Sequence, residues 1–386
     1  MVKNLIGGLM TFFTALLNVN LPEHLQDTNA VGKVITREGY PYEMYTVPTD
    51  DGYLLGMHHI PAKNPLPQHN NVLLMHAAMT AGGQFVINGN KSLAFMLADA
   101  GYNVWIIHAR GTSYSLKHQN LSSDDPKFWD FSWHEIGMYD IPNTIDFILR
   151  KTGDDKLHFV GHSQGPTAFL VMMCERPEYN EKVKSSYLLG PAVYLHNTYK
   201  LMRGMTNLIV DIAKERKLYK IQMKESALLY LLLNFCKGPV LSLWCTMQQL
   251  NALGGDTGQI LDRHAFKHTI AKYARDNISS KILWHFAQVQ NSERFEKYDY
   301  GKEENLMRYG SIQPPLYNLT RVTVPIVLAY GTRDSLTKAE DTEILIPQLK
   351  SITKVIKLPW NHVDMIIGRN VDTQLYNNIL GLMART

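Results

Sequence analysis

Short apolar segments alternate with longer helical segments over most of the chain. Several of the short segments are apolar throughout, which is typical of strands that are buried on both faces. Strands that alternate with helices predict an α/β fold with a mostly parallel sheet flanked by helices. The predicted strands span residues 53–59, 72–76, 104–108, 157–160, 187–189, 325–330 and 354–358. The predicted helices span residues 92–100, 133–150, 167–175, 338–350 and 371–383.

The alternation breaks between about residues 191 and 315, where the pattern is mostly helical. We interpret residues 191–311 as a helical cap over the carboxyl edge of the sheet, where open α/β sheets place their sites. The α/β core would then comprise residues 21–190 and 312–386. Residues 200–224 in the cap hold seven basic and two acidic side chains. That segment is either a helix packed on the domain with a solvated basic face or an amphipathic helix at an anionic lipid interface.

The first 20 residues have the pattern of a secretory signal peptide, because Lys3 precedes an uncharged apolar stretch over residues 5–17. This stretch is too short to span a membrane, and the alternative to a cleaved signal is a buried N-terminal helix. No later apolar run reaches the 18 or so residues that a membrane span needs, so we expect no transmembrane segment. The net charge of +4, from 39 basic and 35 acidic residues, is too small to predict nucleic-acid binding.

The cysteines and the glycosylation triplets are compatible with an oxidising compartment. An odd count of three cysteines leaves one over. Cys236 and Cys245 are nine residues apart and could close a short loop. Cys174 lies in an apolar helical run and is expected to be a small buried side chain rather than a reactive thiol. The triplets place candidate N-glycosylation sites at Asn90, Asn120, Asn277 and Asn318.

One motif carries most of the chemical information. The predicted strand at 157–160 is followed by Gly161-His162-Ser163-Gln164-Gly165 and then by a predicted helix. In the pattern G-x-S-x-G, a serine on a sharp strand-to-helix turn projects its hydroxyl free of the sheet. Composition alone would produce this pattern roughly 0.1 times in such a chain. Its position between a buried strand and a helix makes it specific, and it predicts Ser163 as a nucleophile.

A serine nucleophile needs a base, and the base needs an orienting acid. In this architecture the acid and then the histidine follow the serine, on loops after late strands. Asp334 follows the strand at 325–330, and His362 follows the strand at 354–358. We therefore predict the order Ser163, Asp334, His362. Asp341 and Asp364 are weaker rivals for the acid.

The oxyanion of a tetrahedral intermediate needs hydrogen-bond donors. The residue after the nucleophile, Gln164, is expected to supply one backbone N–H. The second is expected from the loop after the strand at 72–76, where we nominate Ala78. Losing one such donor typically costs about 10²–10³ in rate. No cofactor or metal site is predicted.

Beyond Gly161-His162-Ser163-Gln164-Gly165, the chain carries Asp99-Ala100-Gly101-Tyr102, Gln313-Pro314-Pro315 and Asn361-His362-Val363-Asp364. On these motifs, among others, the chain resembles the acid lipase family of α/β-hydrolases, which includes gastric, lysosomal and many insect lipases. The resemblance covers nearly all of the chain after the predicted signal, and residues 125–149 look most like the insect branch.

The resemblance implies an ester hydrolase that acts on neutral lipids, such as acylglycerols or steryl esters, at a lipid–water interface. It implies Ser163, Asp334 and His362 as the catalytic residues, in agreement with the choice made from the residues. It also implies a helical cap with a short disulfide, at positions matched by Cys236 and Cys245. The implied location is outside the cell or in the lumen of lysosomes or other endomembrane compartments.

The chain departs from the family at the oxyanion loop, where His-Gly-Leu-Leu is replaced by His76-Ala77-Ala78-Met79. Glycine adopts backbone angles that alanine resists, so Ala77 could shift the donor at Ala78. This departure motivates an alternative function, a lipid-binding or storage protein on a lipase fold with weakened catalysis. An interaction module of the esterase-like adhesion type is disfavoured, because such modules typically discard the triad serine.

Overall fold

The computed structural model describes residues 29–66, 70–197, 207, 210–211, 214–221, 257–259 and 276–386. The described strands are β1 (Glu43–Pro48), β2 (Tyr53–Ile60), β3 (Asn71–Met75), β4 (Asn103–Ile107), β5 (Lys117–His118), β6 (Leu157–His162), β7 (Val183–Leu189), β8 (Lys220–Ile221), β9 (Ile278–Ser279), β10 (Ile326–Gly331) and β11 (Ile352–Leu358). Every predicted strand is present, with its ends shifted by a few residues at most.

The main sheet has the strand order β1-β2-β4-β3-β6-β7-β10-β11, with β5 paired to β2. β2 is antiparallel to its neighbours β1 and β4. From β4 to β11 the pairs are parallel. The carboxyl ends of β3, β6, β10 and β11 therefore meet at one edge of the sheet, and the predicted site residues follow these four strands.

The described helices are α1 (Ala30–Arg37), α2 (Leu93–Asp99), α3 (Trp133–Glu135), α4 (Ile141–Thr152), α5 (Gln164–Glu175), α6 (Ser280–Ser292), α7 (Lys302–Tyr309), α8 (Ala339–Leu345), α9 (Asp364–Ile367) and α10 (Asn377–Met383). The helices cover both faces of the sheet. Because successive side chains of a strand point to opposite faces, a single strand contributes to the apolar clusters on both sides. On β3, Leu73 and Met75 join an apolar cluster with residues of α4 and α5. Val72 and Leu74 join a second cluster with residues of α2 and α10.

Three predicted helices are less regular than their apolar pattern indicates. The predicted helix at 133–150 passes through a π-helical turn at Ile136–Asp140 between α3 and α4. The predicted helix at 338–350 ends as α8 at Leu345 and continues as a 3₁₀ turn that contains Pro347, since proline lacks the N–H that an α-helix interior requires. The predicted helix at 371–383 begins with a π-helical turn at Asp372–Tyr376.

Several described elements were not predicted, among them β1 and the strands β8 and β9. β1 is an exposed edge strand in which only Val47 is buried. In the cap region, β8 and β9 form a two-stranded antiparallel ribbon, whereas the pattern predicted helix. The described part of residues 191–311 also holds α6 and α7. Most of residues 200–224 lies outside the described residues, as do residues 1–20 and both Cys236 and Cys245.

Candidate active site

Ser163 lies on a sharp turn between β6 and α5. Its φ of 59° and ψ of −107° fall in a region that non-glycine residues seldom occupy. The turn is held by the Ser163 N–H, which donates to the Leu189 carbonyl at 2.8 Å. Gly165 permits close packing beneath it, since a Cβ there would lie 2.6 Å from the Met75 carbonyl oxygen. Backbone strain of this kind is held by surrounding structure and clusters at active sites.

Asp334 and His362 form a buried pair. His362 Nδ1 lies 2.7 Å from Asp334 Oδ2, and the side chains are 6% and 0% exposed. A carboxylate can only accept, so Nδ1 carries the proton and Nε2 of the neutral ring carries a lone pair. Burial raises the pKa of Asp334, but the attraction of His362 and hydrogen bonds from His362 and Thr337 outweigh it. The pKa of Asp334 therefore lies below its usual value, and the carboxylate stays ionised.

The two rivals for the acid have other partners. Asp341 accepts hydrogen bonds from the backbone N–H and the side-chain amide of Asn197. Asp364 accepts from the Asn361 N–H and from the Thr257 hydroxyl. Asp334 is therefore the acid that the fold pairs with His362.

The loop of His362 lies directly against the serine turn. The rings of His362 and His162, the residue before Ser163, have centroids 4.7 Å apart. His162 Nε2 also lies 3.1 Å from the His362 carbonyl oxygen. On the other side, a Cβ at Gly190 would lie 3.3 Å from the His362 ring. The structure thus places the loops of Ser163, Asp334 and His362 at one edge of the sheet.

Ala78 and Gln164 lie on loops that leave adjacent strands, since Met75 of β3 pairs with Gly161 of β6. Gln164 begins α5, so its N–H belongs to the first turn and has no intrahelical acceptor. The Ala77 N–H is occupied, because it donates to Gln84 Oε1 at 3.2 Å. The nominated donors therefore follow the ends of two adjacent strands, β3 and β6.

The backbone of the oxyanion loop does not need a glycine at Ala77. The residue with a left-handed φ in this loop is Met79, at 59°. Ala77 adopts a negative φ, which alanine tolerates without strain. The Met79 carbonyl accepts a hydrogen bond from the Asp276 N–H at 2.9 Å, which ties the loop to the segment just before β9.

His76 fixes the start of the same loop. Burial lowers its pKa to about 4, so the ring is neutral. Its Nε2 accepts from the Ala109 N–H at 3.0 Å, and Nδ1 then donates to the Ala77 carbonyl at 2.8 Å.

Sequence reasoning did not identify the side chains that support the site: Gln84, His162, Asp276 and Thr337. Thr337 donates its hydroxyl proton to Asp334 Oδ2 at 2.7 Å. The spacing Asp-x-x-Thr from Asp334 was a usable local signal for that contact. No local signal pointed to the other three, because the contacts of Gln84 with His162, of His162 with His362 and of Asp276 with Met79 join residues that are distant in sequence.

The predicted buried cysteine and the candidate glycosylation asparagines can be compared with their exposure in the structure. Cys174 is buried, and burial raises the pKa of its thiol to about 12, which fits an unreactive side chain. Asn90, Asn120 and Asn318 are exposed. The structure corrects the expectation at Asn277, because this side chain is only 3% exposed and glycosylation needs a surface position.

Neither a metal site nor a membrane-spanning helix is present among the described residues. Within the described ranges, no cluster of three histidine, cysteine or acidic side chains is placed to hold a metal ion. No helix in the part of the chain that the structure describes combines the length and apolarity needed to cross a bilayer.

The chain matches two family models. One is a partial alpha/beta-hydrolase lipase region over residues 31–89, and the other is the alpha/beta hydrolase fold over residues 70–368. Among solved structures, it is similar to a putative lipase from Sulfolobus solfataricus, with a TM-score of 0.59 and 16% identity over 89% of this chain and 94% of that one. A monoglyceride lipase variant from Saccharomyces cerevisiae gives a TM-score of 0.54 and 16% identity over 90% and 98%. These two structures bear on the fold alone.

Similarity to curated proteins extends over the chain. Lipase 1 of Drosophila melanogaster is 36% identical over 93% of this chain and 80% of its own length. The gastric triacylglycerol lipase of Bos taurus is 35% identical over 92% and 91%. Lipase member K of Homo sapiens is 33% identical over 92% and 90%. With this fold and these relatives, the chain is a carboxylic ester hydrolase that belongs to the acid lipase family of the α/β-hydrolases.

Proposed function

We propose that this chain is a secreted serine lipase that cleaves fatty-acid esters of neutral lipids, acylglycerols or steryl esters, through an acyl-enzyme on Ser163. The observation that carries the proposal is the buried Asp334–His362 hydrogen bond at the same sheet edge as the strained serine turn. The names of the relatives, which include a gastric triacylglycerol lipase, support a neutral lipid as substrate.

The first half of the reaction acylates the serine. Neutral His362 takes the Ser163 hydroxyl proton at Nε2 as the oxygen attacks the ester carbonyl. The carbonyl electrons move to oxygen, and the Gln164 and Ala78 N–H groups stabilise the oxyanion. Ionised Asp334 stabilises the imidazolium at Nδ1. The C–O bond to the alcohol then breaks, and the imidazolium returns the proton to the leaving alcohol.

The second half releases the fatty acid. A water molecule gives a proton to His362 and attacks the acyl carbonyl. Collapse of the second tetrahedral intermediate breaks the bond to Ser163, and His362 returns the proton to the serine oxygen. Atoms balance as ester plus water giving acid plus alcohol.

The domain division and the location follow from the same proposal. Residues 21–190 and 312–386 form the catalytic core, and residues 191–311 form a cap that meets the lipid–water interface. Residues 1–20 direct secretion or delivery to the lumen of lysosomes or other endomembrane compartments. Exposed Asn90, Asn120 and Asn318 are the glycosylation candidates that fit this route, and a Cys236–Cys245 disulfide would form in the same oxidising environment.

Labelling with a fluorophosphonate, combined with turnover on esters from short nitrophenyl esters to triolein, tests the proposal. Wild-type protein should label and hydrolyse esters, and Ser163→Ala should not label and should lose at least about 10³-fold in kcat. Ser186→Ala is the matched control, since Ser186 is a buried β7 serine bonded to the Pro325 carbonyl. Wild-type protein that does not label, or a Ser163→Ala variant that hydrolyses esters as fast as wild type, would contradict the acyl-enzyme.

A further inference from the structure

Gln84 is a buried side chain between the oxyanion loop and the serine turn. It is 4% exposed and follows β3 by nine positions. Its Oε1 accepts hydrogen bonds from the Ala77 N–H at 3.2 Å and from the Thr80 hydroxyl at 2.9 Å. Because the Ala77 N–H can only donate, the amide is oriented with its nitrogen on the other side. There Nε2 lies 3.4 Å from His162 Nδ1.

His162 continues the same hydrogen-bonded path. Its Nε2 lies 3.1 Å from the His362 carbonyl oxygen, which can only accept. Burial lowers the pKa of His162 to about 3, so the ring carries a single proton near neutral pH. That proton is on Nε2, and Nδ1 is left to accept from the Gln84 amide. Every donor in the path thus meets an acceptor.

We propose that Gln84 and His162 are positioning residues for ester hydrolysis. A chain of hydrogen bonds from Ala77 through Gln84 and His162 to the His362 carbonyl holds the oxyanion loop and the loop of the base in register around Ser163. The inference rests on the proposed function, since it assigns these residues a role in aligning the donors and the base. Neither side chain is given a contact with substrate.

The alignment matters because the donors act on charge that develops only in the transition state. Donors must lie about 2.7–3.1 Å from the oxyanion position, and a misplacement of 1 Å can cost about 10²-fold in rate. A covalent bond fixes Gln164 next to Ser163, whereas Ala78 and His362 are set by their own loops. The Gln84–His162 path connects those two loops through the residue beside the nucleophile.

The test uses Gln84→Met and His162→Phe in the full chain, each of which removes the polar groups and keeps most of the volume. For both variants we expect kcat on a nitrophenyl ester to fall by about 10- to 100-fold, with KM changed by less than about threefold. Inhibition by an alkyl boronic acid, which forms a tetrahedral adduct on the serine, should weaken by a similar factor. The double variant should lose little more than either single variant, because one break already opens the path.

The matched control is His158→Phe. His158 is also a buried histidine on β6, bonded to Ser185, at four residues from His162. We expect it to lower the melting temperature without lowering kcat. If His162→Phe fails to fold, Gln84→Glu carries the test, because it keeps the acceptor for Ala77 and removes the donor to His162. A loss of kcat in Gln84→Glu is then the expected result.

Three results would overturn the inference. The first is a kcat within twofold of wild type both in Gln84→Met and in the second variant used, which is His162→Phe or, if that fails to fold, Gln84→Glu. The second is a double variant in which the losses of the two single variants multiply, and the third is an equal loss of kcat in His158→Phe. In the first case the proposed function survives if Ser163→Ala is still inactive. If Ser163→Ala retains full ester hydrolysis, the proposed function fails, whatever the Gln84 and His162 variants do.

Discussion

Both carboxylate oxygens of Asp334 accept hydrogen bonds from its own loop. Oδ1 accepts the backbone N–H groups of Leu336 and Thr337, each at 2.8 Å. Oδ2 accepts the Thr337 hydroxyl and the His362 ring. A carboxylate with several donors has a lowered pKa and a fixed orientation. The loop thus presents one ionised oxygen to the imidazole, which keeps the ring in the tautomer that leaves Nε2 basic.

Thr337→Val removes one donor to Asp334 and keeps the shape of the side chain. The lowered pKa stabilises the folded state above the unfolded pKa of about 3.9, and this stability is lost as pH falls through the folded value. Since a hydrogen bond to a charged group is worth about 1.5–3 kcal/mol, we expect the variant to lose about that much at pH 7. Urea unfolding from pH 7 to pH 3 should show the difference shrink below about pH 4.

Thr342→Val is the control for this prediction. Thr342 is a buried threonine on α8, and its hydroxyl has no hydrogen-bond partner among the described residues. It should lose no stability at any pH, because the substitution removes an unpaired polar atom. A Thr337→Val deficit that stays constant down to pH 3 would show that the hydroxyl does not act through the Asp334 carboxylate.

At the scale of elements, the loop after β3 takes its shape from neighbours rather than from its own backbone preferences. The Ala77 carbonyl accepts a hydrogen bond from the His76 ring, and the Ala77 N–H donates to the Gln84 side chain. The Met79 carbonyl accepts from the Asp276 N–H. The replacement of glycine by alanine at position 77 places no residue in the left-handed region there. The alanine at position 77 therefore does not support the alternative of a storage protein with weakened catalysis.

Ala77→Gly tests this point directly. Because Ala77 is unstrained, we expect kcat/KM on a nitrophenyl ester to stay within about threefold of wild type, with a loss of about 0.4–1 kcal/mol in stability from the added freedom of the unfolded chain. Ala81→Gly, at a buried extended position in the same loop, should lose a similar amount of stability. A tenfold or larger gain in kcat/KM for Ala77→Gly alone would show that the alanine limits catalysis.

At the scale of the whole molecule, Arg110 joins three separate parts of the core. Its side chain is 1% exposed, and its Nε lies 2.7 Å from Asp140 Oδ1 on the π-helical turn. Its Nη1 lies 2.6 Å from Asp51 Oδ2 in the turn between β1 and β2. The guanidinium also lies 4.0 Å from the centre of the Tyr53 ring. These contacts make Arg110 a structural residue rather than a part of the active site.

Arg110→Met should therefore destabilise the fold. The change leaves the carboxylate of Asp140, which is 0% exposed, without its counter-ion, and removing one partner of a buried pair costs about 3–5 kcal/mol. Arg308→Met is the control, because its pair with Glu304 is about half exposed on both sides and should contribute no more than about 0.5 kcal/mol. Equal stabilities of the two variants in urea unfolding would refute a structural role for the buried pair.

The sequence alone was sufficient for the α/β class and the predicted strands, and it predicted the order Ser163, Asp334, His362. Periodicity and the positions of strand ends are local properties, because they depend on residues that are close together in the sequence. The pattern could not reveal β1, since an exposed edge strand needs no apolar run. It also gave no indication of the π-helical turns, which interrupt helices without changing their apolar period.

Only the tertiary structure decided which side chains support the site. Gln84 meets His162, and Asp276 meets the Met79 carbonyl, across 78 and 197 positions of the chain. It also decided that Asp334 rather than Asp341 or Asp364 faces the imidazole, and that Ala77 adopts a negative φ. These outcomes depend on which strand ends lie next to one another and on burial, because the hydrogen bonds of a buried polar group are chosen by its spatial neighbours and not by its neighbours in sequence.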